Sequence, residues 1–261
     1  MAENRPIDTS VPHSARIWNY WLGGKDNYEV DRIAGEEFLK IFPGMREGAR
    51  ASRGFLTRTI AWLTREAGIR QFLDVGTGLP TADNTHEIAQ GIAPESRVVY
   101  VDNDPLVLAH ARALLAGTPE GATDYIDADV RDPDTILAAA AKTLDFDRPI
   151  ALNLSGIMGH VVDYGQARAI VGRLLGALPS GSYLALNDGS NVLSKANQDA
   201  HDNYNDSGAL PYLQRSPEEI LGFFEGLELV EPGLVSVSRW RPEGSGTPAE
   251  VDGYGAVGRK N

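Results

Sequence analysis

Residues 72–81 read FLDVGTGLPT, an apolar run that closes on a carboxylate, Asp74, and passes into a turn carrying Gly76, Thr77 and Gly78. Glycines directly after a strand let the backbone approach a ligand closely, and in an open parallel sheet ligands sit outside the carboxyl ends of the strands. A dinucleotide turn, G-x-G-x-x-G, presents amides to pyrophosphate, and a carboxylate at the strand end would repel that anion. The order here is D-x-G-x-G, which points away from phosphate. The next apolar run, VVYVDNDP, ends on Asp102 and Asn103. A strand-end carboxylate in that place accepts hydrogens from ribose hydroxyls, while Asp104 suits the cap of a helix opening at Pro105 and leaves Asp102 free. A third run, YIDADVRDP, is followed by Asp129 and Val130, with Asp127 as a competing acid, and a fourth, PIALNLS, ends on Ser155.

The elements that must position these residues alternate. The runs 71–75, 97–102, 123–128, 149–155 and 182–188 are short and apolar, and helical patterns such as 106–115 and 167–178 lie between them, the signature of βαβ units and a parallel sheet. The tail departs from this rule. A helix opening at Ser216-Pro217-Glu218-Glu219 leads to a strand near 227–237 and a last strand near 254–259, with no helix between, so the final strand is predicted to insert antiparallel. Residues 1–69 read as helices, with apolar spacing over 30–41, a stop at Pro43-Gly44 and a second stripe through Phe55, Leu56, Ile60 and Leu63. Arg46, Arg50 and Arg53 share one face of that second helix and read as solvated. The expectation is an α/β fold with a doubly wound, Rossmann-like seven-stranded sheet over 70–261 and a helical cover over 1–69, built as one compact unit.

Composition narrows the function. No cysteine is present, which excludes disulfides, thiolate metal sites and a cysteine nucleophile. The formal net charge of -12 and the lack of a Lys/Arg-rich run argue against nucleic acid as a partner. No apolar run is long enough to cross a bilayer, and the N-terminus is unlike a secretory signal, so a cytoplasmic, membrane-free protein is expected. No clustered histidine pattern supports a metal, and G-x-S-x-G is missing.

The D-x-G-x-G turn resembles motif I of the class I S-adenosylmethionine-dependent methyltransferases, with Pro80 where a third glycine is usual. The resemblance implies that Asp74 helps to hold the amino-acid end of the cofactor, that Asp102 binds the ribose, and that Asp129 meets the adenine amino group with the Val130 amide facing the ring. The segments SARIWNYWLGGKDNYEVDR, GTGLPTADNTHEIAQ, YVDNDP, ADVRDP, GLELVEPGLV, WRP and GAVGRK extend it over nearly the whole chain. They are similar to an actinobacterial family of S-adenosylmethionine-dependent methyltransferases of unassigned substrate. That family implies S-adenosylmethionine as cofactor and a helical cover above it; the family itself does not give the substrate, which is expected to be a small molecule. Two departures stand out: strand five ends LALNDGS in place of a serine-histidine pair, and strand four reads LNLSGIMGHVVD.

Trp18, Tyr20 and Trp21 run into Gly23, Gly24 and Lys25. The segment reads as a lid, with aromatic faces on the sulfonium or adenine and Tyr20, Gly24 and Lys25 at the cofactor, or as helix packing with Asp26 and Asn27 as caps. Methyl transfer is an in-line displacement, so the enzyme aligns the acceptor and removes a proton where one must leave. His160, beyond strand four, is the candidate base because an unperturbed imidazole titrates near ~6.5. Its alternative is a cap for the helix near Asp163. His86 reads as structural, and His201 and Tyr204 as lining a substrate mouth. Two rivals stay open: a non-catalytic S-adenosylmethionine sensor and a nicotinamide oxidoreductase.

Overall fold

Alternating apolar runs and helical stripes fold as their periods dictate in the computed structural model, which describes residues 7–80, 83–114, 117–244 and 246–261. Three helices come first: α1 (Ser14–Trp21), α2 (Glu29–Ile41) and α3 (Met45–Arg65). The alternating part follows as β1 (Gln71–Val75), α4 (Thr85–Ile92), β2 (Arg97–Asp102), α5 (Pro105–Leu114), β3 (Ala122–Asp127), α6 (Pro133–Ala140), β4 (Ala151–Ser155), α7 (Tyr164–Gly176) and β5 (Tyr183–Gly189). The tail adds α8 (Lys195–Asn205), α9 (Pro217–Leu221), β6 (Leu227–Leu229), β7 (Val235–Ser236) and β8 (Gly253–Lys260). Residue 115 of the helix expected at 106–115, and residue 81 of the glycine turn, lie outside the described residues, as do residues 1–6.

Helix starts are set by side chains that take the orphan amides of the first turn. Asp104 accepts the Leu106 amide at 2.8 Å, Asp163 that of Gln166 at 2.6 Å, and Ser216 with Glu219 forms a reciprocal box ahead of α9. The sheet runs β3-β2-β1-β4-β5-β8-β6, parallel from β3 to β5, with β8 antiparallel to β5. It contains eight strands where seven were expected. The single strand predicted over 227–237 is interrupted at Pro232-Gly233 into β6 and β7, and both pair antiparallel with β8.

Strand side chains alternate between faces, and the two faces meet different helices. Leu73, Val75, Val99 and Val101 pack with Ile136 of α6 and Ile170 and Leu174 of α7. Phe72, Val98, Tyr100 and Ala185 pack with Phe55, Ile60 and Leu63 of α3 and with Trp240. By the same alternation Asp74, Asp102, Asn153 and Asn187 share the α3 face, at the strand ends where apolar packing gives way to polar contacts. Further out, α1 and α2 are joined by a buried ion pair: Arg16 Nε lies 3.1 Å from Asp31, whose carboxylate also takes the Tyr28 and His13 amides. Among the described residues no helix is long and apolar enough to cross a membrane.

Candidate active site

Strand order reverses between β1 and β4, so the loops after these strands diverge and open a crevice at the carboxyl edge of the sheet. Residues of α1, α2, α3 and α8 line it from above and leave a cavity of about 470 Å³. Its floor is the turn after β1. Gly76 (φ 74°) and Gly78 (φ 66°) take the left-handed backbone that side chains resist, and a Cβ on Gly76 would stand 2.6 Å from Ile157. The Gly76 amide donates to Val101 O at 2.8 Å and the Gly78 amide to Asp102 Oδ2 at 2.9 Å, which stitches the turn to β2.

Around this turn the strand-end acids take separate surroundings. Asp74, buried, accepts the Thr85 hydroxyl and the Asn153 amide, each at 2.6 Å. Burial pushes its carboxyl above the usual range, opposed by those two hydrogen bonds and by Arg53. Asp102 is likewise raised by burial and held by the Asp104 and Gly78 amides. It is therefore not free of backbone partners, but a carboxylate has about four lone-pair sites, and each of these acids keeps acceptor capacity toward the cavity. Asp129, and not Asp127, lines the cavity; it is half-exposed and takes the Arg131 amide at 2.8 Å and the Asn103 side chain at 3.2 Å. Val130 beside it is buried. Ser155 donates to Asn187 at 2.6 Å, and Asn187 in turn to Ser52 of α3 at 2.8 Å.

This arrangement of a glycine turn and three acid-bearing strand ends can be set against known proteins. A family profile described as S-adenosyl methyltransferase matches residues 1–261. The chain belongs to that family. It is 48% identical to a DUF574 family protein of Streptomyces avermitilis, over 98% of this chain and 100% of that one, with a TM-score of 0.94. A Thermobifida fusca protein of solved structure is 41% identical over 97% of this chain and 96% of its own, with a TM-score of 0.90. Human N-acetylserotonin methyltransferase, solved with S-adenosylmethionine, shares the fold alone: 14% identity over 93% of this chain and 62% of that one, TM-score 0.52. No curated protein matches. The enzyme is thus an S-adenosylmethionine-dependent methyltransferase with the class I fold, and S-adenosylmethionine is its cofactor.

The other end of this methyltransferase's cavity is aromatic. His160 ends a single helical turn, Met158–His160, with Nδ1 2.9 Å from Pro211 O. A carbonyl can only accept, so Nδ1 carries the hydrogen and Nε2 the lone pair. Burial pushes this histidine down to about 4, so the ordinary basicity on which its reading as a base rested is lost. It does not cap the helix near Asp163 either, because Asp163 caps that helix itself. His201 repeats the pattern, with Nδ1 2.9 Å from Asn197 O and burial again lowering it to about 4. Between the two histidines stands Tyr212, whose hydroxyl donates to the buried Asp188 at the end of β5. Burial pushes Asp188 up to about 6; the Arg215 guanidinium lies 3.8 Å away, with its terminal nitrogens donating to the Met158 and Val161 carbonyls.

Several expectations need correction. Trp18 and Trp21 line the cavity, but Tyr20, Gly24 and Lys25 do not. Tyr20 donates to Glu36 under the Arg46 guanidinium, Gly24 packs on the Asn19 side chain, and Lys25 is exposed. Asp26 and Asn27 do not cap α2. Its first amides are served from Tyr28 and Asp31, while Asn19 Oδ1 receives Asp26 N–H and the Asn27 side chain. Arg53 is no solvated residue: it lines the cavity and donates to Asp83 O at 2.8 Å. His86 is structural, buried with its ring against the Tyr100 hydroxyl. Asp188 and Tyr212 were missed as site residues. The signal for Asp188 was the polar break LALNDGS in strand five, which read only as a departure from the family pattern.

Proposed function

We propose that the cavity binds S-adenosylmethionine along the carboxyl ends of β1, β2 and β3 and presents its methyl group to a small molecule held between β4, β5 and α8. The observation that carries this is the pair of buried carboxylates, Asp74 and Asp102, both raised by burial and both on the wall of one cavity with the glycine turn. A carboxylate in that state favours a cation or a pair of hydroxyl donors as neighbour. The bound cofactor supplies an electrophilic methyl on a sulfonium. Asp74 receives the ammonium at the amino-acid end, with Gly76, Thr77 and Gly78 giving close backbone approach. Asp102 receives the ribose hydroxyls, with Asn103 beside it. Asp129 takes the base amino group, Val130 packs on the ring, and Ser155 with Asn187 supports the turn from the β4 side. His160, neutral, offers Nε2 as a hydrogen-bond acceptor to the acceptor molecule.

A volume of about 470 Å³ lies within the range of small-molecule sites, which supports a small acceptor. Isothermal titration with S-adenosylhomocysteine tests the cofactor half: Asp102→Ala is expected to lose about 10- to 100-fold in affinity, about 1–3 kcal/mol. Unchanged affinity removes Asp102 from the site. Incubation with methyl-labelled cofactor and a cell extract divided by size tests the acceptor half. Label is expected in the low-mass fraction, and label found only on macromolecules overturns the small-molecule reading.

A further inference from the structure

The amino-acid end of S-adenosylmethionine is a zwitterion, in which one carbon carries both an ammonium and a carboxylate. With its ammonium at Asp74, the carboxylate of the cofactor arrives beside a like charge and needs a cation of its own. The glycine turn does not supply a substitute. Its three amides are already given to the protein: Gly76 and Thr77 donate to Val101 O at 2.8 and 3.3 Å, and Gly78 donates to Asp102 at 2.9 Å. Lys25, the cation expected here from the sequence, is exposed and does not line the cavity.

Among the described residues, two side chains of permanent positive charge line the cavity, Arg53 and Arg131, and no lysine does. Arg131 is committed elsewhere. Its guanidinium holds the two oxygens of Asp129 at 3.2 and 3.1 Å and donates to His160 O at 2.7 Å. It follows β3, two strands from β1, and neighbouring strands stand about 4.8 Å apart, so it serves the far end of the cofactor. Arg53 is the cation coupled to Asp74. Met45, Gly48, Ser52 and Leu56 of α3 line the cavity at intervals of three and four residues, and Arg53 stands beside that stripe. Its guanidinium donates to Asp83 O at 2.8 Å, which ties it to the segment that follows the glycine turn. Burial lowers its pKa, and of the groups that oppose burial Asp74 acts most strongly. Asp74, raised by burial, is drawn back in return by Thr85, Asn153 and Arg53.

The geometry points to Arg53 as the residue that receives the cofactor's carboxylate, so that Asp74 and Arg53 together clasp the zwitterion and favour a cofactor whose amino-acid end is intact. This rests on the reading above that the cavity holds S-adenosylmethionine at its β1–β3 end, with the ammonium at Asp74. A guanidinium meets a carboxylate with two charge-assisted hydrogen bonds in one plane, which makes the pair both strong and directional. A cofactor that has lost its carboxylate leaves Arg53 with no ligand charge to meet and draws no affinity from it. Helix α3 is then part of the cofactor site, and a residue of the N-terminal helices sets which form of the cofactor is accepted.

Isothermal titration of the parent enzyme, Arg53→Gln and Arg53→Lys with S-adenosylhomocysteine and with its decarboxylated analogue decides the matter. The analogue keeps the nucleoside and the ammonium and lacks only the carboxylate. The parent is expected to bind S-adenosylhomocysteine about 10- to 100-fold more tightly than the analogue. Arg53→Gln is expected to lose that preference by weakening S-adenosylhomocysteine alone, with its affinity for the analogue within about twofold of the parent's. Arg53→Lys keeps the charge and loses the planar fork, and is expected to retain part of the preference. Equal or reversed affinities in the parent overturn the proposal, whether or not a variant folds. A preference undiminished in Arg53→Gln also overturns it, as does an equal loss on both ligands, which would make Arg53 a brace for the Asp83 segment. Where Arg53→Gln fails to fold, Arg53→Lys carries the test, and an undiminished preference there overturns the assignment. Failure of both ligands to bind the parent enzyme is a separate outcome: it overturns the reading of the cofactor site, and with it this one.

Discussion

The two ends of the cavity treat buried polar atoms in opposite ways. At the β1–β3 end Asp74 and Asp102 each hold two protein donors at 2.6–3.0 Å, and the glycine turn is tied to β2 by backbone amides. At the β5–α8 end Asp188 holds the Tyr212 hydroxyl on one oxygen and leaves the other without a hydrogen bond, and Tyr204 and Asn197 have unpaired atoms as well. The first end is preorganised: its carboxylates are held in place by the protein's own donors, which suits the cofactor role proposed for them. At the second end these oxygens have almost no accessible surface, Asp188 Oδ2 has the Arg215 guanidinium 3.8 Å away in place of a hydrogen bond, and folding bears the desolvation.

That contrast can be broken or sharpened by substitution. The largest effect is expected from Gly76→Ala, which puts a Cβ into a left-handed position and against Ile157, 2.6–2.7 Å away. The backbone alone should destabilise the protein by about 1–3 kcal/mol, with cofactor affinity falling together with the melting temperature. A variant with parental stability and affinity would mean that the turn is not rigid.

A medium and opposite effect is expected at the other end. The folded-state pKa of Asp188, about 6, lies above its ordinary value of 3.8, so the folded protein binds the proton more tightly than the unfolded chain does. Its contribution to stability is then present at low pH and lost as pH rises through about 4 to 6. Asp188→Asn removes that loss. The variant should match the parent near pH 4 and be more stable by about 1–3 kcal/mol at pH 7, measured by urea unfolding at both values. A variant that is less stable at pH 7 would place Asp188 among satisfied groups and erase the contrast. The smallest effect is expected from Lys25→Ala, because the side chain is exposed and away from the cavity. Its S-adenosylhomocysteine affinity should stay within about twofold of the parent, and a larger loss would bring the turn after α1 back into the site.

How far the sequence could be read follows the same division. The acids of the β1–β3 end sit in local frames, so Asp74 and Asp102 could be placed at strand ends from spacing, while Asp129 and Asp127 were told apart only by which of them lines the cavity. At the β5–α8 end the partners are far apart in the chain: Tyr212 meets Asp188 across 24 positions, and His160 meets Pro211 across 51. The aromatic run before Gly23-Gly24 does not say which neighbour each side chain will face, and so Tyr20 was assigned to the cavity while Asn19, one position away, lines it.

By itself the sequence determined the periods of strand and helix, the caps at Asp104 and Ser216 and the glycine turn, because each depends on residues within one or two turns of chain, and the lack of a helix before the last strand gave its antiparallel entry. Only the tertiary structure decided which polar atoms of the cavity are satisfied and which are not. That depends on donors and acceptors brought together from distant segments, and on the burial that moves His160 down and Asp188 up from their ordinary values.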